Sequence, residues 1–335
     1  MVLVLVVGCG SKAIDEVPRC APAAGPELVV TTTDYAVGAL ATVDLETGCV
    51  SDRLSSRLGG DAIAVVTDDL VAVVLRSDGD VIRLYEPGAW DEPIHEIAVE
   101  AGSIIHDVAI VEDRLFATPY ERPEIDVYDL VSETWLTGID LSDHADSDGI
   151  PEADRIQKSD DGLLVALQRL NRNDDWSAEQ GLLLTLDPTL LEVSTDVAVG
   201  PNPKVFGDRV LTGVYGELDG ALSGLDGEIY LTEADEGFDF ALHGERDGLE
   251  VLAGSAMDGE ARIRCFDGIW TDGQQSDAWV SDLVMIGGGH AILATRSGWH
   301  PDANPGLLTL DVATCEFVGD PVELALEPYS LALVE

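Results

Sequence analysis

A pattern of short strands that recurs every 40 to 45 residues constrains this chain more than any other feature of its sequence. An inner strand, a tight acidic or glycine turn and a second strand read in DAIAVVTDDLVAVVLR (Asp61–Arg76). The same unit returns in HDVAIVEDRLFATP (His106–Pro119), DRIQKSDDGLLVALQR (Asp154–Arg169) and DLVMIGGGHAILATR (Asp282–Arg296). Weaker copies are PKVFGDRVLTGV (Pro203–Val214) and DFALHGERDGLEVLAG (Asp239–Gly254). A third strand follows each pair and often ends in a D-x-x-T-type turn, as in GALATVDLETG (Gly38–Gly48) and GLLTLDVATCEF (Gly306–Phe317). Third strands start near Ala39, Asp80, Glu124, Gly181, Ala221, Ala261 and Gly306, with one longer interval. Helical periodicity is almost absent, and the spacing is that of four-stranded propeller blades.

The two ends of the chain support a count of seven. EPYSLALVE (Glu327–Glu335) reads as an inner strand with no partners after it, and ELVVTTTD (Glu27–Asp34) as a second strand with none before it. Joined, they complete one blade, so the expected fold is an all-β, seven-bladed propeller closed by its N- and C-terminal strands. A β-sandwich would not require the repeat.

Charge narrows the partners. The chain carries 64 acidic residues against 18 Lys and Arg, a formal net charge of -46, and only Lys12, Lys158 and Lys204 are lysines. Such a surface repels nucleic-acid phosphates and anionic lipid headgroups, so a nucleic-acid role is not expected. Heavy acidity with little lysine also suits a saline habitat or a need for high solubility. A hydrophobic share of 46% supplies a sizeable core.

The first residues carry an address. Val2 to Val7 is far too short to span a bilayer but matches the end of a secretory signal. Val6-Val7-Gly8-Cys9 resembles a lipobox, in which cleavage precedes a cysteine that is then lipidated. No basic n-region precedes the run, which implies a start codon further upstream. The competing reading is an ordinary first strand with a buried cysteine. The expected division is therefore a signal remnant (1–8), a lipidated tether (9–26) and the propeller (27–335). Setting Cys9 aside leaves Cys20, Cys49, Cys265 and Cys315, an even number suited to an oxidising compartment. Three pairings are possible. The sequential one, Cys20 with Cys49 and Cys265 with Cys315, closes the shortest loops.

LLLTLDPTLLEVSTDVAVGPNPKVF resembles the repeat of YVTN-type, surface-layer-like β-propellers, although the YVTN tetrapeptide is absent. Together with the lipobox, the chain resembles bacterial envelope propeller lipoproteins. That resemblance implies a fold and a location rather than an activity.

Candidate binding residues fall in the loops that join second to third strands, which open on the same face as the links between blades. Arg76, Arg169 and Arg296 end second strands at positions the repeat makes equivalent, Arg122 lies in another such loop, and Arg172 follows Arg169. Trp176, Trp299 and His300 accompany them. Arginine with aromatic neighbours suits a small anionic or sugar-like ligand through forked hydrogen bonds and stacking. The alternative is that these arginines neutralise nearby acids. Asp143, Asp146 and Asp148 resemble part of a calcium loop, but the full EF-hand spacing fails, and no cofactor is required. No G-x-S-x-G, HExxH, P-loop or GxGxxG occurs, and Gly287–His290 reads as a hairpin turn.

The expectation is a monomeric envelope lipoprotein that presents the Arg/aromatic face around the central channel as a scaffold for an envelope protein or small ligand. The alternative is a periplasmic or surface propeller enzyme of the hydrolase, lactonase or quinoprotein kind. An enzyme should gather carboxylates or histidines with shifted pKa values at the channel mouth. A scaffold should show the rim without a buried ionisable cluster.

Overall fold

The computed structural model describes Cys20, Ala21, Ala23 and residues 25–76, 80–256, 260–298 and 303–335. Seven antiparallel sheets surround a central channel. Blade 1 pairs the C-terminal inner strand Glu327–Val334 with Glu27–Thr33, followed outward by Gly38–Asp44 and Val50–Ser56. The C- and N-terminal strands pair from Glu27 opposite Val334 to Thr33 opposite Glu327, so the ring closes as the repeat predicted.

Blades 2 to 7 have inner strands Ala62–Thr67, Ile105–Val111, Ala153–Ser159, Lys204–Phe206, Asp239–Arg246 and Trp279–Ile286. Third strands begin at Gly38, Val81, Glu124, Gln180, Ala221, Ala261 and Gly306, each within one residue of the position read from the sequence. The long interval belongs to blade 4, which carries an extra hairpin of Leu170–Asn171 and Ser177–Ala178.

Burial follows position in the blade. The second strand of blade 2, Leu70–Leu75, is buried from Val71 onward because both sheet faces meet neighbouring blades. The outer strand of blade 4, Glu192–Pro201, is mostly exposed and rich in polar residues. Hairpins between inner and second strands turn through left-handed residues, as at Asp247 and Gly248 or Gly288 and Gly289. Gly287–Gly289 is therefore such a turn between Trp279–Ile286 and His290–Arg296, as expected. The repeated D-x-x-T segments are side-chain-capped turns: the Asp44 Oδ1 accepts from Glu46 and Thr47 amides at 2.9 Å each. Asp187 does the same for Thr189 and Leu190 at 2.8 Å.

Neighbouring blades are joined by one polar position at the start of the inner strand. The Asp107 carboxylate of blade 3 accepts from its own strand at Val108 (2.8 Å) and from blade 4 at Ile156 (3.1 Å). Asp282 of blade 7 accepts from Leu283 (2.9 Å) and from blade 1 at Leu331 (2.8 Å). Ser330 of blade 1 accepts from Ala64 of blade 2 at 3.3 Å. Each contact satisfies an amide that faces the channel rather than a sheet neighbour.

Both sequential disulfides are present. Cys20–Cys49 ties the segment before the first strand to blade 1, and Cys265–Cys315 joins blades 6 and 7, with Cα separations of 6.1 and 5.6 Å. Cys9 and the tether before Cys20 lie outside the described residues.

Candidate functional site in the central channel

All seven inner strands line a channel of about 960 Å³. Second-to-third-strand loops and the links between blades open on one face, called the top; the inner hairpin turns lie at the bottom. Near the bottom, Lys158 of blade 4 pairs with Asp68 of blade 2. Arg246 of blade 6 pairs with Glu335 at the chain end at 2.5 Å. Each pair bridges past an intervening blade.

The upper half is ionisable. The position that stitches the blades is held by Asp107, Arg155, Lys204, Asp282 and Ser330 in blades 3, 4, 5, 7 and 1. One residue earlier stand His106 and Asp154, whose side chains meet at 2.8 Å from Nδ1 to Oδ1. The His106 ring stacks on Tyr120 with centroids 3.9 Å apart and planes inclined by 10°. Tyr120 in turn donates to Gln168 Oε1 at 2.7 Å, which fixes the stack from above. On the other side of the mouth Arg76 pairs with Asp61 and donates to the Tyr329 hydroxyl at 2.8 Å, while that hydroxyl donates to Asp61 at 2.7 Å.

Burial sets the electrostatics. It pushes the Asp107 carboxyl up to about 6, against the opposing pull of Arg155 and two backbone amides. Asp282 is raised for the same reason, although Arg155 and two amides oppose it. Burial would raise Asp154 as well, but the hydrogen bond and charge of His106, with Lys204 and Arg155 nearby, hold it below the usual carboxylate range. The Lys204 ammonium is lowered by burial and by the Arg155 charge, which outweigh attraction to Asp154. Burial pushes Tyr329 up to about 12.

Two cations differ from everything around them. The Arg155 guanidinium lies over the Phe206 ring at 4.2 Å, and neither Arg155 nor Lys204 makes a side-chain hydrogen bond or ion pair among the described residues. Both face the open channel.

The top-loop arginines predicted from the sequence are all engaged. Arg122 is paired with Glu124, Asp126 and, at 3.3 Å, Glu100. Arg172 binds the fully buried Glu152 at 2.9 Å, Glu121, and the Tyr120 carbonyl at 3.1 Å, with its guanidinium 5.0 Å from the Trp176 ring. Arg296, 1% exposed, lies between Tyr35 and Tyr329 with Glu327 at 3.6 Å. Arg76 and Arg296 are equivalent by strand pairing, but Gln168, not Arg169, holds that place in blade 4. Arg169 is one residue further on, in a left-handed conformation (φ 54°), and turns to the Gln180 carbonyl at 2.7 Å and Glu179 at 3.3 Å. Trp176 is half exposed, and Trp299 and His300 lie outside the described residues.

Asp146 and Asp148 are taken up by backbone amides, and Asp143 lies in the short helix Ser142–His144 before them. Asp146 accepts from the Asp148 amide at 2.8 Å, and Asp148 accepts from Ile150 and Arg172 amides at 2.9 and 2.8 Å. Among the described residues no three His, Cys, Asp or Glu side chains converge as a metal site.

None of the residues expected from the sequence to bind a ligand is His106, Asp154, Arg155, Lys204 or Asp282, although all five lie in the repeated segments. Four of the six copies begin with a residue of the channel or its mouth, Asp61, His106, Asp154 and Asp282, and Lys204 is second in its own copy. The usable signal was a charged residue immediately before the aliphatic run of an inner strand.

No family model and no curated protein matches this chain. Among solved structures, it is similar to the "putative 6-phosphogluconolactonase" of Bacteroides uniformis, at 14% identity and a TM-score of 0.63 over 92% of this chain and 99% of that one. The Bacteroides fragilis protein of the same description gives 12%, 0.60, 92% and 98%. Apo AztD from Citrobacter koseri gives 13%, 0.56, 92% and 98%. At these identities the likeness is one of fold alone, that of a β-propeller.

Proposed function

We propose that this chain is a monomeric envelope lipoprotein of YVTN-type propeller architecture, anchored through Cys9, that holds a small ligand in the upper half of its channel. The lipobox-like Val6–Cys9 and the two disulfides support the location. The observation that carries the function is the ring of ionisable side chains inside a channel of about 960 Å³, ample for a small molecule. A platform for large partners needs only its rim and has no use for such a ring. The arginine and aromatic loops shape the mouth through which the ligand enters.

Ala241 stands one residue before the stitching position of blade 6 and lines the channel, so Ala241→Trp fills the ligand space without touching the rim. Small molecules that raise the melting temperature of the wild type should lose that effect in this variant. Undiminished stabilisation would place the site elsewhere.

The second reading, an enzyme acting in the same channel, is favoured by His106. Its pairing with Asp154 is the arrangement that orients an imidazole as a general base. Asp107 and Asp282 also have raised pKa values, but their oxygens are committed to blade amides, so the shifts come from structural groups. Turnover of lactone or ester substrates that disappears in His106→Ala, with ligand-induced stabilisation retained, would promote this reading over the first.

A further inference from the structure

Resting on the channel reading above, we infer that the ligand is anionic and that Arg155 and Lys204 grip its phosphate or carboxylate head group. Asp107 and Asp282 each use their two oxygens on backbone amides of two blades. Asp154 is bonded to His106, and Asp61 holds Arg76 and Tyr329. Each of these four acids therefore has at least one oxygen already bonded within the protein. The donors on Arg155 and Lys204 are uncommitted among the described residues. A guanidinium has five N–H donors and an ammonium three, and neither can accept. What completes them is a group rich in acceptors.

Scarcity strengthens the point. Among the described residues most arginines and lysines hold a carboxylate in an ion pair, whereas Arg155 and Lys204 have Asp154 within electrostatic reach, bond to no carboxylate and stand together. They occupy the same register position on adjacent blades, and each influences the other electrostatically. Asp154 attracts both cations but its Oδ1 is bonded to His106, so the N–H donors of Arg155 and Lys204 are left for a further acceptor. The planar fork of Arg155, backed by Phe206, suits two oxygens of one head group, and the point charge of Lys204 suits a third. The apolar stretch below, including Val205, Leu242 and Met285, suits the uncharged remainder.

The test is calorimetric titration of the full chain with three probes of one skeleton: glycerol, glycerate and glycerol 3-phosphate. At least one of the two anions should bind and glycerol should not. The tighter of the two identifies the head group as carboxylate or phosphate. Arg155→Met and Lys204→Met should each weaken that anion 10- to 100-fold, and Lys204→Arg should stay within a few-fold of wild type. Melting temperatures of both Met variants should match or exceed wild type, which a purely structural cation would not allow. The inference falls if neither anion binds, or if the Met variants bind as the wild type does. If neither anion binds while other small molecules still stabilise the wild type but not Ala241→Trp, the channel reading survives alone. Anion binding that persists in Ala241→Trp overturns both.

Discussion

The top loops and the channel both gather cations in a protein of formal charge -46, yet the two sets have different surroundings. Arg122, Arg169, Arg172 and Arg296 each meet at least one carboxylate, and most also bond to a backbone carbonyl. Arg155 and Lys204 have three aspartates within electrostatic reach and bond to none of them. The loop arginines hold loops in place. Beyond the Arg155 contact with Phe206 the channel cations make no side-chain bond among the described residues, and burial of the Lys204 charge lowers stability. Function is the economical reason to keep them, because sites are where local stability is commonly given up.

The strongest way to break that contrast is at Arg172. Arg172→Ala leaves Glu152 fully buried without its ion partner, and should cost about 3–5 kcal/mol in urea unfolding at pH 8. The Glu152 carboxyl already titrates near 7 because burial outweighs its amide and Arg172 contacts. Without Arg172 it takes up a proton more readily, so the loss should shrink toward pH 5. A loss that does not vary with pH would mean that Arg172 acts through packing instead.

A second, smaller effect probes the channel acids. Asp107 titrates near 6 in the folded protein, above an unfolded value of about 4, so the folded state holds a proton that the unfolded chain has released. Its contribution is most favourable below pH 4 and is lost as pH rises through 6, about 2–3 kcal/mol in all. Asp107→Asn should flatten the fall in the urea midpoint between pH 4 and 7. Glu250 runs the other way. Burial is overcome by His243 and Arg209, its carboxyl is held at about 2, and its contribution is present above about pH 4.5 and lost on acidification. The smallest effect belongs to Lys204→Met, which should leave the midpoint unchanged or raise it by up to about 1 kcal/mol. A drop of 2 kcal/mol or more would show that Lys204 is structural after all.

Much of the architecture was legible because a propeller repeats its own rules. The third-strand starts and the closing pair of Glu27–Thr33 with Glu327–Val334 follow from local pattern and spacing, and of the three disulfide pairings left open the one with the shortest loops is the one formed. The equivalence of Arg169 with Arg76 failed by one residue: both second strands run six residues from the turn, but blade 4 then inserts Gln168. The site was harder to read for a physical reason. His106, Asp154, Arg155, Lys204 and Asp282 lie on different blades and become neighbours only when the ring closes, so no short window of sequence contains them. Arginines at loop ends attract notice in a linear reading, whereas a lone lysine before Val205 looks like the flank of a strand.

One experiment compares the two regions directly. The double variants Arg155→Met/Lys204→Met and Arg122→Ala/Arg169→Ala are measured together, each for thermal stability and for affinity toward whichever of glycerate and glycerol 3-phosphate binds the wild type more tightly. The channel variant should keep its melting temperature and lose affinity by at least 100-fold, while the loop variant should lose melting temperature and keep its affinity. The reverse pattern, with affinity lost at the loops and stability lost in the channel, would contradict the account.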